Sequence, residues 1–124
     1  MAITCRSEDN GLTWSKPVLV GDTGIANGNP PVLILMTDGR LACVYGNRTR
    51  KEMLCNYSDD EGRSWNYPIV IHDNYESDLD DQDFGYPRLV QRTDGMLVAI
   101  YYWASPEIHR QHIAATVWDP SYIL

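Results

Sequence analysis

An all-β chain of repeated, four-stranded antiparallel sheets is what this sequence predicts, on three observations. Strand-length runs rich in Val, Ile, Leu and Tyr recur along the chain, turn signals separate them, and no stretch sustains a helical period. The turn signals themselves come back. SEDNGLTW at residues 7–14 returns as SDDEGRSW at 58–65, 51 residues on, and Thr37-Asp38-Gly39 returns as Thr93-Asp94-Gly95, 56 residues on. A period of about 50 residues marks a propeller or a solenoid, and four strands per repeat select the β-propeller.

Each element follows from its local chemistry. Residues 1–20 hold the third and fourth strands of one blade, joined by the first octapeptide. Residues 30–72 hold a complete blade: PVLILM (31–36), RLACVYG (40–46), EMLCNYS (52–58) and YPIVIH (67–72). Thr37-Asp38-Gly39, the polar stretch 47–51 and the second octapeptide separate these runs, so they read as an antiparallel meander. Residues 86–118 repeat the first three strands with PRLVQR (87–92), MLVAIYYW (96–103) and HIAATVW (112–118). The 124 residues therefore form a single partial propeller domain of nine strands.

Bulk properties narrow the partners. The chain is 44% hydrophobic and 22% charged, which is ordinary for a folded domain and too apolar for disorder. Its net charge of −7 disfavours nucleic acid and anionic membranes, both of which need a basic surface. No apolar run reaches the roughly 20 residues of a membrane-spanning helix. No leader follows Met1, so the sequence carries no address and the compartment stays open. Cys5, Cys43 and Cys55 have no metal-ligand spacing and are read as reduced, half-buried strand residues, a Cys43–Cys55 bridge being the alternative. His72, His109 and His112 lack metal spacing too, and no cofactor is expected.

The two octapeptides resemble the Asp-box, the BNR repeat of the sialidase (neuraminidase) superfamily, whose pattern is Ser-x-Asp-x-Gly-x-Thr-Trp. Ser7, Asp9, Gly11, Thr13 and Trp14 match it, and Ser58, Asp60, Gly62, Ser64 and Trp65 match with Ser for Thr. The resemblance implies a structural turn between third and fourth strands, on the face away from the active site. The physics agrees: Asp accepts N–H bonds within its turn, Gly permits positive φ, and Trp plugs the gap between neighbouring sheets. GYPRLVQRTDGMLVAIYY at 85–102 is similar to the first and second strands of sialidase-like blades. Sialidases are six-bladed, so the resemblance spans nearly the whole chain but about a third of such an enzyme.

The resemblance also implies a site of three arginines, an Asp acid/base and a Tyr nucleophile activated by a Glu. The places comparable to the Arg-Ile-Pro motif read Asn29-Pro30-Pro31 and Gly85-Tyr86-Pro87, without the arginine. Tyr86 stands somewhat like the nucleophilic tyrosine of a Tyr-Ser-x-Leu motif, with Pro87 replacing the Ser, or else faces a ligand or packs near the axis. Asp83 is a candidate acid.

Alternate hairpins of an up-and-down blade share a face. The links 21–29, 47–51, 73–85 and 104–110 therefore gather opposite the Asp-boxes, and loops on a rigid frame are where function concentrates. They offer Asn29, Asn47, Arg48, Arg50 and Lys51, then Asp83, Tyr86, Trp103, His109 and Arg110. Arg48, Arg50, Tyr86, Trp103 and Arg110 are the candidate carbohydrate contacts: aromatic faces for sugar rings, forked donors for carboxylates and hydroxyls. The loop at 75–83 carries Glu76, Asp78, Asp80, Asp81 and Asp83, but Asp83 and Leu89 occupy the sixth and twelfth places where a calcium loop needs Gly and Glu, so no metal is assigned.

An open wedge of blades leaves edges and faces uncovered, which invites association. A homo-oligomer is expected, with a trimer favoured: the N-terminal third and fourth strands of one chain would complete the C-terminal blade of another. The functional expectation is a glycan-binding or glycoside-hydrolase-related module, of exo-sialidase type if it is active. A non-catalytic structural or protein-interaction propeller, and an inactive piece of a larger sialidase-like enzyme, are the alternatives.

Overall fold

The structure is a computed structural model that describes residues 1–25, 29–79 and 81–121. Its strands form three antiparallel sheets. β1 (Ala2–Thr4) pairs with β2 (Val18–Gly21); β3 (Val32–Leu35), β4 (Leu41–Asn47), β5 (Glu52–Ser58) and β6 (Ile69–His72) form a four-stranded meander; β7 (Gly85–Gln91), β8 (Leu97–Trp103) and β9 (His112–Trp118) form the third sheet. The all-β propeller expectation holds, as part of a propeller rather than a closed one.

Why the middle sheet is the best formed follows from its neighbours. Both faces of β4 and β5 are buried, so apolar residues stand at successive positions, Leu41 to Tyr45 and Met53 to Cys55, instead of alternating. One face meets the third sheet: Val44, Met53, Cys55 and Tyr57 pack with Leu97, Ala99, Tyr101, Trp103 and the loop residues Tyr75 and Phe84. The other meets the first sheet, where Cys43, Tyr45 and Leu54 pack with Ala2 and Val20. Cys43 and Cys55 thus point to opposite sides of one sheet, which removes the bridge between them; Cys5 is exposed. Burial pushes both inner thiols up to about 12, so they are inert packing groups.

Both Asp-box turns fold the same way. The serine hydroxyl donates to the aspartate Oδ1, at 2.8 Å for Ser7–Asp9 and 2.7 Å for Ser58–Asp60, and accepts the glycine N–H at 2.8 Å in each. The aspartate closes the turn by accepting from the backbone N–H and the hydroxyl of Thr13 or Ser64. Gly11 and Gly62 sit at φ of 87° and 82°, where a Cβ is disfavoured. The tryptophans differ. Trp65 packs against the first sheet and donates to Thr4 Oγ1 at 3.3 Å, so it sits in the gap between sheets. Among the described residues Trp14 bonds only to its own turn, Gly11 O at 3.1 Å, and it is 63% exposed, because no described sheet lies where Thr4 lies for Trp65.

The box aspartates set an acid limit. Hydrogen bonds, first from the Thr13 or Ser64 hydroxyl, hold Asp9 and Asp60 at about 2 against an ordinary 3.8. A folded value below the unfolded one gives stability that is complete above the ordinary carboxylate range and is lost as pH falls toward 2. His72 acts in the same direction higher up. Burial lowers its pKa, so its contribution is complete above its ordinary 6.5 and is lost as pH falls below it. Thermal melts across this range are expected to show stability dropping with acid, and Asp60→Asn is expected to flatten the limb below pH 4.

Two faces of the assembly lie open. Ile113 (74% exposed) and Val117 alternate outward on β9, beside Val90 and Ile100, while Ile3 and Leu19 face out from the first sheet. Strand exchange of the kind a swapped trimer needs would have to displace β9, which pairs with β8 along all of its length, from Leu97↔Trp118 to Trp103↔His112. Sedimentation at micromolar concentration is expected to show self-association, and Ile113→Lys with Val117→Lys is expected to raise the monomer fraction.

Candidate functional site

The loop face between the second and third sheets brings together four side chains. β4 ends at Asn47, which is buried; its Nδ2 donates to Asp22 O at 3.0 Å and its Oδ1 accepts Arg50 N–H at 2.9 Å, fixing the turn that follows. Arg48 leaves that turn toward the third sheet. Its Nε and Nη2 both donate to Phe84 O, at 3.1 and 2.9 Å, and Nη2 also reaches Tyr102 Oη at 3.0 Å. Tyr102 donates to Asp83 Oδ1 at 2.6 Å, and that oxygen lies 3.7 Å from Arg48 Nη2. The Tyr86 ring sits 5.7 Å from the Tyr102 ring, completing the cluster.

Tyr86 is held in an unusual backbone shape. Its φ is 51°, rare for an aromatic residue, and it follows Gly85 at φ 119°. The pair forms an irregularity where the β7–β8 register shifts between Gly85 and Arg88. Asn29 supports it: this buried side chain accepts the Tyr86 N–H on Oδ1 at 3.3 Å. A Cβ added at Gly85 would lie 2.3 Å from that oxygen. Gly85→Ala combines this clash with the left-handed penalty of about 1–2 kcal/mol and is expected to lower the urea midpoint while shifting the Tyr86 resonances.

The other sequence candidates lie elsewhere. Trp103 is 0% exposed and stacks on His72 at 4.2 Å, so it serves the core and presents no face to a ligand. The pleat explains this: Leu97, Ala99, Tyr101 and Trp103 share the inward side of β8, and Tyr102 falls on the other. Tyr102, absent from the sequence candidates, is the β8 residue in the cluster. Arg50 pairs with Glu52 at 2.8 Å along its own hairpin. Arg110 extends into solvent 3.8 Å from Asp78, beside His109, whose ring nitrogens lie 3.2 Å from Glu76 and 3.1 Å from Asp78. Asp80 lies outside the described residues, among which no cluster suited to a metal ion occurs.

The cluster's electrostatics follow from these contacts. Burial and the bond to Asp83 push Tyr102 up to about 12, with Arg48 opposing, so Tyr102 is a fixed donor at neutral pH. Tyr86 is 53% exposed, and among the described residues no carboxylate bonds its hydroxyl. The arrangement offers two tyrosine faces, a carboxylate acceptor and a guanidinium in one patch.

Comparison with known proteins agrees with the fold. The model of the BNR repeat-like domain matches residues 1–99. No curated protein matches the chain. Among solved structures the chain is similar to the Hadza microbial sialidase Hz136, with a TM-score of 0.61 and 19% identity, over 94% of this chain. It spans 28% of that protein's length, and at this identity the likeness speaks for the fold alone. With most of its length matched, both octapeptide turns built alike and three blade-like sheets side by side, the chain belongs to the BNR repeat-like domain family.

Proposed function

We propose that the loop face around Tyr86 binds a glycan, as part of a sialidase-related propeller. The observation that carries this reading is the pairing of Tyr86 and Tyr102 beside Asp83 and Arg48. Aromatic rings lie against the apolar faces of sugars, while carboxylate and guanidinium fix hydroxyl or carboxylate groups. Similarity to a sialidase fold lends support. Binding is favoured over turnover because Asp83 bonds to Tyr102 rather than to the exposed Tyr86 hydroxyl, leaving Tyr86 without a hydrogen-bonded base among the described residues.

The test is a glycan array read on protein of known oligomeric mass, with Tyr86→Ala alongside. Binding to a sugar class that Tyr86→Ala loses supports the reading, and no binding to any glycan overturns it. Hydrolysis of a fluorogenic sialoside would replace binding by catalysis as the site's role.

A further inference from the structure

Asp83 contributes the carboxylate of the cluster, yet it sits at the end of a loop without regular structure. Its position therefore depends on bonds to its backbone. Gln111, immediately before β9, supplies one of them from across the sheet. Its Nε2 lies 2.9 Å from Tyr75 Oη and 3.3 Å from both Asp81 Oδ1 and Asp83 O. Tyr75 Oη in turn donates to Asp81 Oδ1 at 2.5 Å and lies 3.2 Å from Asp83 O. The Tyr75 ring is anchored in the core, 4.7 Å from the Phe84 ring and 5.3 Å from that of Trp103.

This hub is set by its chemistry. An amide NH2 donates only, so Gln111 has to be met by acceptors, and the Asp83 carbonyl is one of three within its reach. Asp81 stays ionised and accepting: burial raises it, but bonds from Tyr75 and its other partners outweigh that and leave it below the ordinary carboxylate value. On the other side of Asp83, Tyr102 grips its carboxylate and Arg48 grips the carbonyl of the next residue, Phe84. The backbone of Asp83 is thus held from behind while its side chain is held from the front.

We propose that Gln111, acting through Tyr75 and Asp81, is a positioning residue that holds Asp83 in register with Tyr102. Its consequence for ligand binding rests on the glycan reading; the positioning itself does not.

The test uses protein carrying 13Cζ-tyrosine at neutral pH, with the Tyr102 resonance assigned by Tyr102→Phe. Asp83→Asn should shift this resonance. Gln111→Met, which keeps the length and removes both N–H groups, should shift it the same way, and should add nothing on top of Asp83→Asn. Tyr75→Phe removes a single hydroxyl from the hub and should reproduce the shift, covering the case in which Gln111→Met fails to fold. The proposal is overturned if Gln111→Met and Tyr75→Phe leave the Tyr102 signal in place while Asp83→Asn moves it, or if Asp83→Asn leaves it unmoved. Where the unmodified protein binds a glycan, Gln111→Met should weaken binding about tenfold, the scale of one hydrogen bond. Absence of any glycan binding would end the glycan reading and leave the Tyr102 shifts to decide the positioning.

Discussion

Trp103→Ala is expected to destabilise the fold by about 3–5 kcal/mol, the range for removing a fully buried tryptophan. Its ring is closed in by His72 at 4.2 Å, Phe84 at 4.8 Å, Tyr75 at 5.3 Å and Tyr101 at 5.8 Å. These neighbours are stiff rings from β6, β8 and the loop between β6 and β7, so the hole left by alanine cannot collapse far. Domains of this kind hold roughly 0.05–0.15 kcal/mol per residue, so the loss is a large share of the total. Urea unfolding should show a much lower midpoint with the slope little changed. Trp103→Phe should do far less damage. It keeps most of the apolar contact and also deletes an indole N–H that is buried without a partner among the described residues. If Trp103 instead faced a ligand, alanine would leave the midpoint near its starting value.

The contrast between Trp103 and Tyr102 also measures what the amino-acid order reveals. The run at 96–103 is apolar on both sides, so alternation alone does not say which residues face inward. The repeat does. Aligning Thr37-Asp38-Gly39 with Thr93-Asp94-Gly95 places Tyr45 opposite Tyr101, and both tyrosines pack toward the sheet that precedes their own. Extending that phase by one pleat puts Trp103 inside and Tyr102 outside. The Asp-box turns were legible because the serine and aspartate bonds that close them are local, within a span of eight residues. Trp14 and Trp65 share a motif and still end in different surroundings, because what covers them lies in another sheet.

The site itself was legible only in part. Arg48, Asp83 and Tyr86 could be named because they lie on the right loops. Their contacts could not, since Arg48 is held by the backbone carbonyl of Phe84, 36 residues away, and a carbonyl leaves no mark in a sequence. The left-handed Tyr86 is equally silent, because nothing about a tyrosine announces positive φ. Asn29 was noted as a residue of the loop face, and in the structure it accepts the Tyr86 N–H and holds that turn.

Arg48→Ala is expected to remove both the support and the chemistry of the cluster. Phe84 is 0% exposed with Arg48 in place, so its carbonyl would lose two N–H donors, at a cost of up to about 1–3 kcal/mol. Tyr102 would lose its cationic neighbour, and its pKa would move further up, since Arg48 is what opposes burial and Asp83 there. Arg48→Lys should recover little, because one ammonium cannot place two donors on Phe84 O and still meet Tyr102 in the same plane. Glycan binding should fall with both variants. A double-mutant cycle with Asp83→Asn separates the two roles: the stability loss should be nearly independent of Asp83, while the binding loss should be strongly coupled to it. Additive binding losses would mean that Arg48 only braces the loop and that the ligand is held elsewhere on this face.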